Sequence, residues 1–188
     1  MNESIISLTV VNHIAVEIAA DPSAIWNDIV DSLVEAKNWL DQGFAIEPLN
    51  DPSATKGGYR MSLEKDGIQI DLRTVCVTEC DTVARRLSLL VDYLSAPDGV
   101  LVFATYQAQP IPTGTRYTID CHTRIGVTPP GDGSHAEVAA LVSKIHDHSD
   151  AHLASVLAKV KAKHEAYRRP VDRLSASTRC DAPMIEKG

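Results

Sequence analysis

The sequence predicts an α+β domain in which a curved antiparallel sheet wraps around one long C-terminal helix. Three observations predict it. From Ser134 to about Tyr167, Val138, Val142, Ile145, Leu153, Val156 and Val160 recur at helical spacing, over roughly 33 residues or about 50 Å. Between Phe44 and Val127 short runs alternate apolar and polar residues and are separated by Gly, Pro and Asp turns. Ahead of these stand a single alternating strand and a helical unit. A helix of that length needs a broad surface to lie on, and a curved sheet supplies one.

Taken in order, Leu8 to Ile18 is a half-buried strand, with Val10, Ile14, Val16 and Ile18 on one side and His13 and Glu17 on the other. Asp21-Pro22-Ser23 ends it and starts a helix, Asp21 as cap and Pro22 at the first helical position. Ile25, Trp26, Ile29, Val30 and Leu33 form the apolar side of a helical unit reaching about Leu40, as two short helices with a bend near Asp31-Ser32. Gly43 closes the unit, Phe44-Ala45-Ile46 is a short strand, and Asn50 to Gly58 has loop composition. Tyr59 to Leu63 and Ile68 to about Thr78 form a hairpin around Asp66-Gly67. Strands follow at Arg85–Leu94, Val100–Gln109 and Thr115–Val127, with turns at Pro97-Asp98-Gly99 and Pro110 to Gly114. The last helix starts after Gly131-Asp132-Gly133 with a capping box of Ser134 and Glu137, and Arg168-Arg169 and Pro170 signal its end. The sequence is read as one domain over 1–169 and a polar tail over 170–188.

The 188 residues are 44% hydrophobic and 23% charged, ordinary for a globular domain that buries its own core. A net charge of −7 argues against a nucleic-acid partner, whose phosphates call for a basic face. No apolar run approaches the length of a membrane span, and no signal segment is evident at Met1. Cys76 and Cys80, four apart in one strand, would stand roughly 13 Å from each other, beyond disulfide reach. Unpaired thiols point to the cytoplasm. Monomer and homodimer are both compatible with the sequence.

The element order resembles the helix-grip fold of the START/Bet v 1-like superfamily, also called SRPBCC. The local match is the first strand running through Asp21-Pro22 into the helix that carries Trp26, from His13 to about Ile29. The resemblance extends over Leu8 to Tyr167 and implies seven antiparallel strands gripping the last helix, with a cavity for a hydrophobic ligand. It marks a fold that hosts carriers, receptors, cyclases and chaperone co-activators, so the activity has to come from the site. The oxygenase branch of the superfamily does not fit, because the chain has no Cys/His iron–sulfur domain.

Alternation assigns the side chains expected to face the helix. On the last strand Tyr117, Ile119, Cys121 and Thr123 lie opposite the charged set Asp120, His122 and Arg124. The same logic points Ile70, Leu72, Thr74 and Cys76 inward, with Leu89, Val91 and Tyr93, and with Val102, Ala104 and Tyr106. Arg73, Arg85, Arg86 and Arg124 are expected on the outer face, with a place at the cavity mouth, holding a ligand carboxylate, as the alternative. In the last helix Ser149 and His152 interrupt the apolar stripe three residues apart, so they are expected to face the sheet beside Ile145 and Val156. The expected ligand contacts are Ser149, His152, Ile145, Val156, Leu72, Thr74, Tyr93, Tyr106, Tyr117, Cys121 and Thr123. Proton transfer, if the domain is an enzyme, is assigned to His152 with Tyr106 or Tyr117.

His148 and His152 share a helix face but lack the further ligands of a metal motif, so no metal is expected. Three functions fit the sequence. One is a binder of a small hydrophobic molecule, aromatic or polyketide-like. Another is a cofactor-independent cyclase, dehydratase or lyase, and the third is a protein-interaction module.

Overall fold

The structure is a computed structural model and describes residues 5–49, 57–96, 99–128 and 133–166. Its elements are β1 (Ile6–Ile18), α1 (Pro22–Leu33), α2 (Lys37–Asp41), β2 (Ala45–Pro48), β3 (Gly58–Lys65), β4 (Ile68–Asp81), β5 (Arg86–Tyr93), β6 (Val100–Ile111), β7 (Gly114–Val127) and α3 (His135–Ala166). The expected loop at 50–56, the turn residues 97–98 and 131–132, the helix-end signal at 168–170 and the tail lie outside the described residues.

All seven strands form one antiparallel sheet in the order β1-β7-β6-β5-β4-β3-β2. The helix-grip architecture expected from the sequence is therefore present. Local signals explain why each element forms where it does. The Asp21 side chain accepts from the Ser23 amide at 2.7 Å, with Pro22 in the first turn, and Ile25, Trp26 and Ile29 of α1 are buried. The bend in the helical unit falls slightly later than expected, at 34–36, where Ala36 adopts a left-handed backbone (φ 54°). Asp66 and Gly67 both have positive φ, as a two-residue hairpin turn requires. At the start of α3, Ser134 and Glu137 form the reciprocal capping box.

The register aligns side chains in rows across the inner face. One row runs Val10, Thr123, Val102, Val91, Val75 and on to Tyr59. The next runs Asn12, Cys121, Ala104, Leu89 and Val77. Ile14, Ile119, Tyr106 and Leu87 follow. The core is the set of buried apolar groups on this face together with Ile25, Trp26 and Ile29 of α1.

The register corrects one strand assignment. Tyr93, Val91 and Leu89 face Arg73, Val75 and Val77 across the β4–β5 ladder, so these three and Asp71 point inward. Leu72, Thr74, Ile70 and Cys76 are on the outer face, opposite to expectation. The cause lies in β4 itself, whose first half carries its apolar residues on the outer face (Ile68 67% exposed, Ile70 52%) and its charged pair on the inner.

α3 lies along β1, and its backbone stays well off the middle of the sheet. Leu157 is its one buried side chain. The C-terminal half is clamped: the Ala19 amide donates to Glu165 at 3.1 Å, Lys161 Nζ donates to the Glu17 carbonyl at 2.9 Å, and Lys163 and His164 both meet Asp28 of α1.

Candidate functional site

Five of the predicted contacts do share one face. Tyr93 of β5, Tyr106 of β6, and Tyr117, Cys121 and Thr123 of β7 all point toward α3. Val91, Tyr93, Val102, Tyr106 and Thr123 are only half-buried, although they point into the fold. These inward-facing side chains are not fully packed, and α3 makes its backbone contacts with β1 and not with the middle of the sheet. Ile145, Ser149 and Val156 are half-buried on one flank of the helix.

His152 is not in this set. It is exposed, and it sits roughly 140° around the helix from Leu157. The side that meets the sheet is centred on His146, Asp150 and Leu157, not on the middle of the apolar stripe. The expected role of His152 as an acid–base or ligand group is withdrawn on that ground.

Arg73 also departs from expectation, for it lies on the inner face. Nε and one terminal nitrogen grip both oxygens of Asp71, with Nε to Oδ1 at 2.8 Å. The guanidinium lies 4.4 Å from the centre of the Tyr93 ring, with Trp39 at 5.6 Å and Phe44 at 5.8 Å. Trp39 and Phe44 pack edge to face at 5.5 Å. Burial alone would disfavour the arginine's charge, but Asp71 and the surrounding phenols outweigh it and raise the Arg73 pKa. The other terminal nitrogen reaches Tyr93 Oη only at 3.5 Å, so it is the least satisfied donor of the group. Tyr59 closes the cluster and donates to the Leu33 carbonyl at 3.0 Å, satisfying an end carbonyl of α1. Arg85, Arg86 and Arg124 are not part of it. Arg86 pairs with Glu79 at 2.8 Å on the exposed side.

A second polar group joins β1 to α3. Asn12, 1% exposed, donates through Nδ2 to Asp150 Oδ1 at 2.6 Å and to the His146 carbonyl at 3.4 Å. His146 Nδ1 stands 3.7 Å from the other oxygen of Asp150. The remaining atom, Asn12 Oδ1, is buried and has no partner among the described residues. A buried acceptor left in that state costs about 1–3 kcal/mol.

The tyrosines set the electrostatic character of the face. Burial pushes Tyr59 up to about 12 and raises Tyr93, Tyr106 and Tyr117 above the usual phenol value. The Cys121 thiol is also raised by burial, and it contacts Thr123 Oγ1 at 3.6 Å. These groups are therefore neutral near pH 7 and can donate but not readily ionise. The sign of the linkage follows. Between the unfolded tyrosine pKa of about 10 and the raised folded values, the unfolded chain loses protons that the native chain keeps. Stability is thus fully present below pH 10 and is expected to fall between pH 10 and 12. The check is a series of melting temperatures by circular dichroism, alongside phenolate absorbance at 295 nm. Tyr106→Phe should flatten the alkaline fall, and a melting temperature unchanged to pH 12 would contradict the assignment.

No described helix is long and apolar enough to cross a membrane. No family model and no curated protein matches the chain significantly. Solved structures do match in fold. Protein SA2116 from Staphylococcus aureus, a protein of unknown function, aligns with a TM-score of 0.55 at 12% identity, covering 87% of this chain and 98% of its own. Ara h 8.0201 aligns at 0.53 and 12% identity, covering 78% and 99%. Mll3558 from Rhizobium loti aligns at 0.51 and 15%, covering 82% and 98%. The chain has the START/Bet v 1-like helix-grip fold over nearly the whole length of these proteins.

Proposed function

We propose that the chain binds a small, largely apolar molecule between α3 and the inner face of β4 to β7. One observation carries this reading. Val91, Tyr93, Val102, Tyr106 and Thr123 point inward from the middle of the sheet and are left partly uncovered. Burying apolar surface would supply the affinity, at about 25 cal/mol per Å² before the costs of association. Polar groups would set orientation: the terminal nitrogen of Arg73 that makes only the long bond to Tyr93 Oη at one end, and the Tyr106 and Tyr117 hydroxyls, which make no hydrogen bond among the described residues. Ile145, Ser149 and Val156 form the helical side.

The test is native mass spectrometry of freshly purified protein, followed by titration with an apolar fluorophore that brightens in a dry site. A bound small molecule or saturable uptake is expected, and Val102→Trp, which fills the space, should abolish either while the far-ultraviolet spectrum stays native. Bare protein that also takes up no fluorophore would overturn the reading.

The enzyme reading retains one supporting observation. Tyr106 and Tyr117 are protonated, inward-facing phenols whose hydroxyls are unengaged among the described residues. A cofactor-independent cyclase, dehydratase or lyase could use them as hydrogen-bond donors to a developing oxyanion, since burial makes them weak acids but leaves the O–H available. Among the described residues the groups that could serve as base are otherwise engaged or turned away: Asp71 is held by Arg73, Asp150 accepts from Asn12 with His146 beside it, and His152 is outside. Binding is therefore the better supported function.

A further inference from the structure

We infer that Asn12 is the recognition point for a hydrogen-bond donor on the interior molecule, so that the ligand is an apolar compound bearing a neutral hydroxyl or N–H group. The inference rests on the binding reading above and narrows its chemical class.

The orientation of the Asn12 amide follows from its partners. Asp150 Oδ1 at 2.6 Å and the His146 carbonyl at 3.4 Å are both acceptors, so the NH2 group must face them. Turning the amide over would set its oxygen against a carboxylate. Oδ1 is therefore held away from α3's polar groups, on the inner face of the sheet. Its neighbours there are Val10 and Ile14 along the strand, Cys121 directly opposite, and Ile119 and Thr123 on the diagonals. The Cys121 thiol and the Thr123 hydroxyl contact each other at 3.6 Å, one donating and the other accepting, and neither is bonded to Oδ1. Oδ1 is almost wholly removed from solvent, and no side chain among the described residues bonds to it.

Donation from Nδ2 to a carboxylate also polarises the amide and makes its oxygen a stronger acceptor. A molecule that enters beneath α3 and parts the packing around Asn12 meets that acceptor. A donor group gains the bond that the described residues leave unmade. An ether or ketone at the same place leaves Oδ1 unpaired, and an anion is opposed by Asp150. The class selected is phenols, alcohols and neutral N–H compounds.

The discriminating probes are 2-naphthol and 2-methoxynaphthalene, nearly matched in shape and different in the donor. With the full chain and calorimetric or fluorescence titration, the wild type is expected to favour 2-naphthol by about tenfold. In Asn12→Leu the ratio of the two dissociation constants should fall close to one. A second readout needs no substitution: the carbon-13 resonance of the Asn12 side-chain carbonyl should move with 2-naphthol and stay with 2-methoxynaphthalene. If both probes bind and the preference is the same in wild type and variant, the assignment to Asn12 is overturned while the binding reading stands. If neither probe binds the wild type, the binding reading itself fails. Should Asn12→Leu not fold, an unmoved carbonyl resonance at saturating 2-naphthol overturns the inference by itself.

Discussion

Replacing Asp71 with alanine is expected to lower the free energy of unfolding by about 3–5 kcal/mol, a large fraction of a domain's total. Both side chains of the Asp71–Arg73 pair are 18% exposed, so water can do little to replace a lost partner. With Asp71 gone, the guanidinium would keep only the ring faces of Tyr93, Trp39 and Phe44 and a long contact to Tyr93 Oη. The double replacement Asp71→Leu with Arg73→Met should cost far less, because it removes both charges and keeps the volume. Urea unfolding of Asp71→Leu, Arg73→Met and the double variant forms a cycle, and a loss in the double that equals the sum of the singles would contradict a coupled pair.

Gly114→Ala should be nearly as damaging, at about 3 kcal/mol or more. Gly114 opens β7 with φ at +144°, a conformation that side chains strain to adopt. A Cβ there would also stand 2.2 Å from the Ile18 carbonyl oxygen and 3.0 Å from the Ala19 Cα. These are backbone atoms at the end of β1, fixed from the other side by the bond from Thr115 Oγ1 to the Ala20 carbonyl at 2.8 Å. Nothing flexible is available to move aside. Gly67→Ala is the control, for its φ is also positive (+75°) but its Cβ would meet nothing within 4 Å. It should cost about 1 kcal/mol, and thermal unfolding of the pair separates clash from backbone strain. Equal losses in the two would show that the close approach to Ile18 is relieved elsewhere.

The sequence was most readable where a local cause sufficed. Asp21-Pro22, Asp66-Gly67 and the Ser134–Glu137 box each set an element boundary by bonds within a few residues, and each is found in place. Alternation was reliable for β7, where one parity is charged and the other apolar. It failed on β4, because Ile70 and Leu72 compete with Val75 and Val77 for the inner side. That contest is decided by Leu89, Val91 and Tyr93 of the neighbouring strand, which no reading of β4 alone contains. The signal overlooked was the opposite charge of Asp71 and Arg73 two positions apart, which lets them pair on one face of a strand.

On α3 the apolar stripe pointed in a direction roughly 80° from the one that meets the sheet. The difference arises because Asp150 turns inward to meet Asn12, a contact that spans 138 residues of sequence. Asn12 shares the inward parity of Val10 and Ile14, but nothing in the strand pattern singled it out. Only the packed structure shows what it meets there.

The unequal fastening of α3 has a kinetic consequence. From Leu157 onward the helix is clamped to the β1–α1 corner by Glu165, Lys161, Lys163 and His164. Toward its start the described residues offer one polar tie to the sheet, at Asn12. A rod pinned at one end lifts at the other without breaking its clamp. How long a guest stays beneath α3 would then depend on how often its first turns swing away. How tightly the guest is held would depend on side chains farther in. Residence time and affinity would thus be adjustable separately, the first through the tie at Asp150 and the second through the uncovered face of the sheet.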